Sequence, residues 1–176
     1  MNHFNEDNTA QIPALKLLIN LGYQYLTPSE ALQLRDDRES NVLLTSILRE
    51  QLKKINTIKI GSKQADFSDA NIERAIHSLK DIPLAEGLVN ASNRAYNLLR
   101  FGNALEQSID GDKKSHTIQY IDWEKPENNV FHIAEEFSVM RTGRKDTYRP
   151  DLVLFINGIP LAIIESKSPT IKSPLK

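Results

Sequence analysis

The chain has 176 residues, 40% of them hydrophobic and 26% charged, which is enough for one domain with a sizeable core and ordinary for a globular protein. With no cysteine it has neither a disulfide framework nor a Cys-rich zinc site; its N-terminus lacks the basic start and apolar run of a signal peptide, and no apolar run approaches the roughly 20 residues of a membrane-spanning helix. A cytoplasmic protein without membrane contact is expected, and the net charge of −1 excludes nucleic-acid binding through a global positive field, because counterion release needs many basic contacts.

The first half reads as helical. Ile12, Leu15, Leu18 and Ile19 recur at helical spacing and Gly22 follows as a stop. Thr27-Pro28-Ser29-Glu30 combines a capping Thr, a proline at the first helical position and a Glu able to reach back, so a short helix begins there. Ser40 precedes an amphipathic run through Val42, Leu43, Ile47, Leu48, Leu52 and Ile55, closing in Lys53-Lys54 at the negative end of the helix dipole. Further helices are predicted near 69–80, after Ser68, and near 84–100, before Gly102.

From about residue 104 the pattern changes to strand. The runs 103–109 and 117–123, separated by polar residues 110–115, predict a long-looped hairpin, and 130–140 the next strand after turn chemistry at 126–129. Segments 151–156 and 159–167 are the most apolar strands and hence the predicted sheet centre. The expectation is α/β: one domain over 1–176, with a helical region over 1–103 followed by a mixed, antiparallel-rich sheet over 104–176.

The chemistry gathers in that last segment. Asp151 opens one apolar strand, Glu165 and Lys167 close the next, and Asn157-Gly158 joins them. Phosphodiester hydrolysis needs a water made nucleophilic near neutral pH and charge stabilisation at the phosphorus oxygens, both within reach of a Mg²⁺ held by one or two carboxylates. Asp151 and Glu165 are the candidate ligands. Strand periodicity sends Glu165 and Lys167 to one face while Ser166 offers only its backbone carbonyl as a further metal ligand. Lys167 is then the candidate to orient the attacking water or to balance growing charge. A plain two-residue hairpin at Asn157-Gly158 would pair Asp151 with Ile164 and turn Glu165 to the wrong face, so the site requires an odd residue, from a three-residue loop or a bulge. Asp112-Lys113-Lys114 repeats the acid-x-lysine pattern, but in what reads as a polar turn with no apolar strand leading into it, and it is assigned no function.

Arg141, Arg144, Lys145 and Arg149 concentrate four cations just before the site, where a DNA backbone would lie; a solvated loop would carry the same charges. The four histidines have no zinc-site spacing. The aromatic residues Tyr96, Phe101, Tyr120, Trp123 and Phe137 sit within apolar patterns that favour core packing over base stacking.

The run from Arg149 through Asp151, Glu165 and Lys167 to Pro169 closely resembles the nuclease motif of the restriction (motor) subunit of type I restriction-modification enzymes, a branch of the PD-(D/E)-x-K nucleases. Residues 129–137 look like the strand that precedes that motif, and the run from Glu6 to Leu26 is similar to the family's first helix and its exit. The resemblance implies a PD-(D/E)-x-K-type sheet and a Mg²⁺-dependent endonuclease on double-stranded DNA, with Asp151 and Glu165 as metal ligands, Lys167 as catalytic lysine and Glu6 in the place of an additional acid. It also implies partnership with methyltransferase and specificity subunits. Two departures matter: the chain has no Gly-x-x-x-x-Gly-Lys-Ser/Thr phosphate loop, so the ATP-driven motor lies outside it, and no Gln-x-x-x-Tyr element follows Lys167. The chain is therefore expected to be C-terminally truncated, and the rival reading is a non-catalytic DNA-positioning or subunit-docking module.

Overall fold

The computed structural model describes residues 11–140 and 146–166. In chain order its elements are α1 (Ile12–Asn20), β1 (Gln24–Leu26), α2 (Pro28–Gln33), α3 (Thr45–Ile55), β2 (Ile58–Ile60), β3 (Lys63–Ala65), α4 (Asp69–Lys80), α5 (Leu88–Phe101), β4 (Asn103–Ile109), β5 (Asp112–Ile118), β6 (Phe131–Glu135), β7 (Val139–Met140), β8 (Thr147–Tyr148), β9 (Leu152–Ile156) and β10 (Ile159–Ile164). The chain is mixed α/β, and it divides into two units, one made of Met1–Leu44 with Phe131–Lys176 and the other of Thr45–Val130. None of the helices among the described residues is long and apolar enough to cross a membrane.

The first unit is built on a four-stranded sheet in the order β1-β6-β9-β10, with β1 parallel to β6 and the other pairs antiparallel. The inner strands β6 and β9 carry its core, with Ile133, Ala134, Leu152, Val153 and Phe155 all buried; β10, expected beside β9 at the sheet centre, is instead an edge strand among the described residues, and its Leu161, Ala162 and Ile163 are exposed. The other edge strand, β1, comes from the region read as helical. The predicted capping box closes behind it, with the Glu30 N–H donating to Thr27 Oγ1 at 3.3 Å and the Thr27 N–H to Glu30 Oε2 at 2.8 Å, which fixes where α2 begins. In α1, Leu15 and Leu18 are half-buried while Ile12 and Ile19 remain exposed. Phe137 meets Phe155 edge-on at 5.2 Å, and the buried guanidinium of Arg35 lies 4.1 Å over the Phe137 ring.

Three predicted boundaries shift. The strand expected over 130–140 breaks after Glu135, because Glu136 adopts φ +48°, a left-handed conformation no strand accommodates, and its N–H bonds the Asp151 carbonyl at 3.0 Å. The helix expected from Ser40 starts only at Thr45, since Leu44 donates its N–H to the Gly158 carbonyl at 2.8 Å instead of opening a helical turn. The last strand ends at Ile164 rather than at residue 167.

In the second unit, α3 and α4 bury Leu48 and Leu52 with Ile72, Ala75, Ile76 and Leu79. Tyr120 is fully buried; its hydroxyl donates to the Ala75 carbonyl at 2.6 Å, and burial pushes its pKa up to about 12. The β4–β5 hairpin corrects the expected long loop: its ladder runs from Asn103↔Ile118 to Ile109↔Asp112, leaving only Asp110 and Gly111 as the turn, at φ +53° and +85°. Asp-Gly suits a type I′ turn, and the polar residues 112–115 are tolerated because they stand exposed in the strand. Gly102 is required where α5 passes into β4: at φ +79° a Cβ there would lie 2.5 Å from the Ile118 carbonyl oxygen. Core packing holds for Tyr120 and Phe137 but not for Tyr96, Phe101 and Trp123, which are exposed along or beside α5. Trp123 tethers its Nε1–H to the Leu99 carbonyl at 2.9 Å, which satisfies its polar edge without burying the ring.

Candidate active site

The β9–β10 turn is a two-residue type I′ turn, with Asn157 at φ +53° and Gly158 at φ +82° and Ile156 paired with Ile159. The odd residue the site requires is present, but in the strand: pairing runs Pro160↔Phe155 and then Ala162↔Leu154, so Leu161 is bulged out of the ladder. The last registered pair is Ile164↔Leu152. Carried one step past the ladder, this register would set Glu165 opposite Asp151, and directly paired residues share a face.

That face is the one carrying Val153 and Phe155, since residues 151, 153 and 155 alternate with 152, 154 and 156. On it lies a groove of about 710 Å³ whose lining includes Phe137, Tyr148, Val153, Pro160 and Ile163. Asp151 is half-buried and its Oδ2 accepts the Ser166 N–H at 2.7 Å, which ties the end of one strand to the end of the other through the carboxylate itself. Glu165 is exposed, and its Oε1 accepts the Tyr148 hydroxyl. Ser166 is buried.

Glu135 points elsewhere. It pairs with Leu152, whose side chain faces away from Asp151, and its carboxylate accepts the hydroxyl of Tyr25, pushing that phenol up to about 12 through burial first and the carboxylate second. Glu136 instead pairs with Arg149 at 3.4 Å, both side chains being exposed, so Arg149 already has an acidic neighbour. Among the described residues no three acids or histidines gather where they could hold a metal ion. Asp151 and Glu165 stand at the adjoining ends of β9 and β10, and carboxylates are hard oxygen donors of the kind that fit Mg²⁺, which is commonly held by one or two of them. Lys167, Glu6, Arg141, Arg144 and Lys145 lie outside the described residues.

A family model described as the type I restriction enzyme R protein N terminus matches residues 3–175. The chain belongs to that family. Its relatives include a Methanocaldococcus jannaschii protein carrying the name of putative type I restriction enzyme MjaIXP endonuclease subunit, 33% identical over 94% of this chain and 15% of the relative. Another is the type I restriction enzyme HindI endonuclease subunit of Haemophilus influenzae, 27% identical over 94% of this chain and 15% of the relative. The chain thus spans about 15% of the length of these curated relatives. No solved structure matches it significantly.

Sequence reasoning missed two groups that hydrogen-bond the candidate acids. Tyr148 reaches Glu165 across 17 positions, a contact readable only after the hairpin register is known. The Ser166 N–H, set aside in favour of its carbonyl, is the group that reaches Asp151. A tyrosine three residues before a strand-opening acid was the available signal, and nothing in its local pattern distinguishes it from a groove-lining ring.

Proposed function

We propose that the chain is the nuclease domain of a type I restriction enzyme R subunit, of PD-(D/E)-x-K type, which hydrolyses phosphodiester bonds in double-stranded DNA with Mg²⁺. The observation that supports this best is the bulge at Leu161, which sets Glu165 opposite Asp151 despite a turn that would otherwise separate them. Such a bulge re-aims side chains near active sites and has no role in closing the turn.

Asp151 and Glu165 would hold Mg²⁺, together with the Ser166 backbone carbonyl. The ion supplies charge stabilisation at the phosphorus oxygens and a more acidic water. Asp151 comes oriented by the Ser166 N–H, so its free lone pairs are not lost to rotamer averaging. Lys167, two residues beyond Glu165, is proposed to orient the attacking water or to offset charge on the phosphorane oxygens. Arg149 and the cations at 141, 144 and 145 are proposed to meet the DNA backbone, which positions the duplex without reading sequence. In the assembly this reading implies, methyltransferase and specificity subunits and an ATP-driven motor act beside this domain.

Plasmid cleavage by the full-length subunit, assembled with its partner subunits and supplied with ATP, tests the reading. Asp151→Asn, Glu165→Gln and Lys167→Ala should each reduce cleavage by at least about a hundredfold. Equal cleavage by wild type and all three variants would leave a docking or DNA-positioning module as the better account.

A further inference from the structure

The two acids are anchored differently. Asp151 is short, half-buried and fixed by a backbone N–H at 2.7 Å. Glu165 is longer, exposed, and lies past the end of β10, where no ladder bond constrains its side chain. Ordering such a long side chain gives up much of its rotamer freedom.

Tyr148 meets that need. Its position is set by β8, where it pairs with Val139 of β7, and its ring lines the groove beside Val153 and Ile163. From there the hydroxyl donates to Oε1 of Glu165. The ring has packing to hold it and the hydroxyl has an acidic target.

We propose that Tyr148 is the positioning residue for Glu165, its hydroxyl holding Oε1 and so orienting the carboxylate that would hold the metal ion. The inference rests on the proposed nuclease reading and adds how the exposed acid is aimed.

The test is calorimetric titration with Mn²⁺ of a full-length subunit carrying this chain, as wild type, Tyr148→Phe, Glu165→Gln and the double variant, with thermal unfolding followed in parallel. Tyr148→Phe keeps the ring in its groove and removes only the hydroxyl. It should weaken Mn²⁺ binding about tenfold at an unchanged melting temperature, as loss of a metal ligand's outer partner does. Glu165→Gln should lose the site, and the double variant should be no worse than Glu165→Gln alone. In plasmid cleavage, Tyr148→Phe should raise the Mg²⁺ concentration giving half-maximal rate by a similar factor and leave the rate at saturating Mg²⁺ near wild type. Unchanged Mn²⁺ affinity in Tyr148→Phe with loss in Glu165→Gln would overturn the positioning role and leave the nuclease reading standing. Unchanged affinity in Glu165→Gln would sink the metal site itself.

Discussion

The chain contains two hairpins that begin from nearly the same local instruction. Asp110-Gly111 closes β4–β5 and Asn157-Gly158 closes β9–β10, each as a two-residue turn with both residues left-handed. Beyond the turn they diverge. The β4–β5 ladder runs seven pairs without irregularity, and its Asp112 and Lys114, two apart on one face, bond to each other at 2.6 Å with about two-thirds of each side chain exposed. The β9–β10 ladder is buried on its inner strand and bulged at Leu161, and its register, carried one step past the last pair Ile164↔Leu152, brings Glu165 level with Asp151. The same acid-x-lysine triplet therefore stands in two different settings. What separates the hairpins is the number of residues between the paired positions, together with the burial of β9.

Breaking that parity should have the largest effect. One alanine inserted between Leu161 and Ala162 moves Glu165 a step along β9, opposite Pro150, and so to the other face. Cleavage by the assembled enzyme should fall at least about a hundredfold. Deleting Leu161 gives the opposite result: it removes the bulge, leaves a regular two-residue hairpin, and still pairs Glu165 with Asp151, so activity should stay within about tenfold of wild type. If insertion and deletion inactivate equally, the register argument is wrong and only general disruption of β10 remains.

Exchanging the turn residues sharpens the contrast in burial. Asn157 is fully buried, so Asn157→Asp places a charge out of water and replaces an amide donor; denaturant unfolding should show a loss of about 3 kcal/mol at neutral pH. Asp110→Asn removes only the exposed Lys63 ion pair at 3.3 Å and should change stability by less than about 0.5 kcal/mol.

The hairpins also show what a sequence discloses and what it withholds. Asn157-Gly158, the capping box at Thr27 and the apolar runs of β9 and β10 are local patterns, and each formed where its chemistry required. The place of the odd residue was not legible, because the same Asn-Gly permits a regular turn or a bulged one, and the choice is made by packing along the whole strand. The Asp112–Ser115 stretch misled for the converse reason. Its polarity reads as a loop only if a strand must be half-buried, and an exposed strand need not be. Glu136 broke the strand expected over 130–140 through a backbone conformation that no side-chain pattern announces. Of the proposed site, the two acids are candidates that type and spacing single out, whereas the contacts of Tyr148 and of the Ser166 N–H depend on the fold and emerged only with it.

The buried sheet should also differ from the exposed hairpin in its response to acid. His132 on β6 is buried, its Nδ1 has no hydrogen-bond partner, and burial holds its pKa below the ordinary value. The unfolded chain then takes up the proton first. Stability is greatest above about pH 6.5 and declines as pH falls through that value toward the lower folded pKa, where the folded imidazole charges too and the decline levels off. His132→Phe should flatten this region of a stability-against-pH curve measured by denaturant unfolding; an unaltered slope would place its origin in another group.

The smallest effect belongs to the hairpin that only looks catalytic. Lys114→Met removes the partner of Asp112 and leaves a carboxylate that is two-thirds exposed, already hydrated, and free to turn toward solvent. Its stability should change by less than about 0.5 kcal/mol, and the Mg²⁺ dependence of cleavage should be unmoved. The result is informative because the same triplet arithmetic at Glu165 predicts loss of cleavage. A measurable activity defect in Lys114→Met would mean that the exposed hairpin touches substrate or a partner subunit, and that burial and register are not what distinguishes the two.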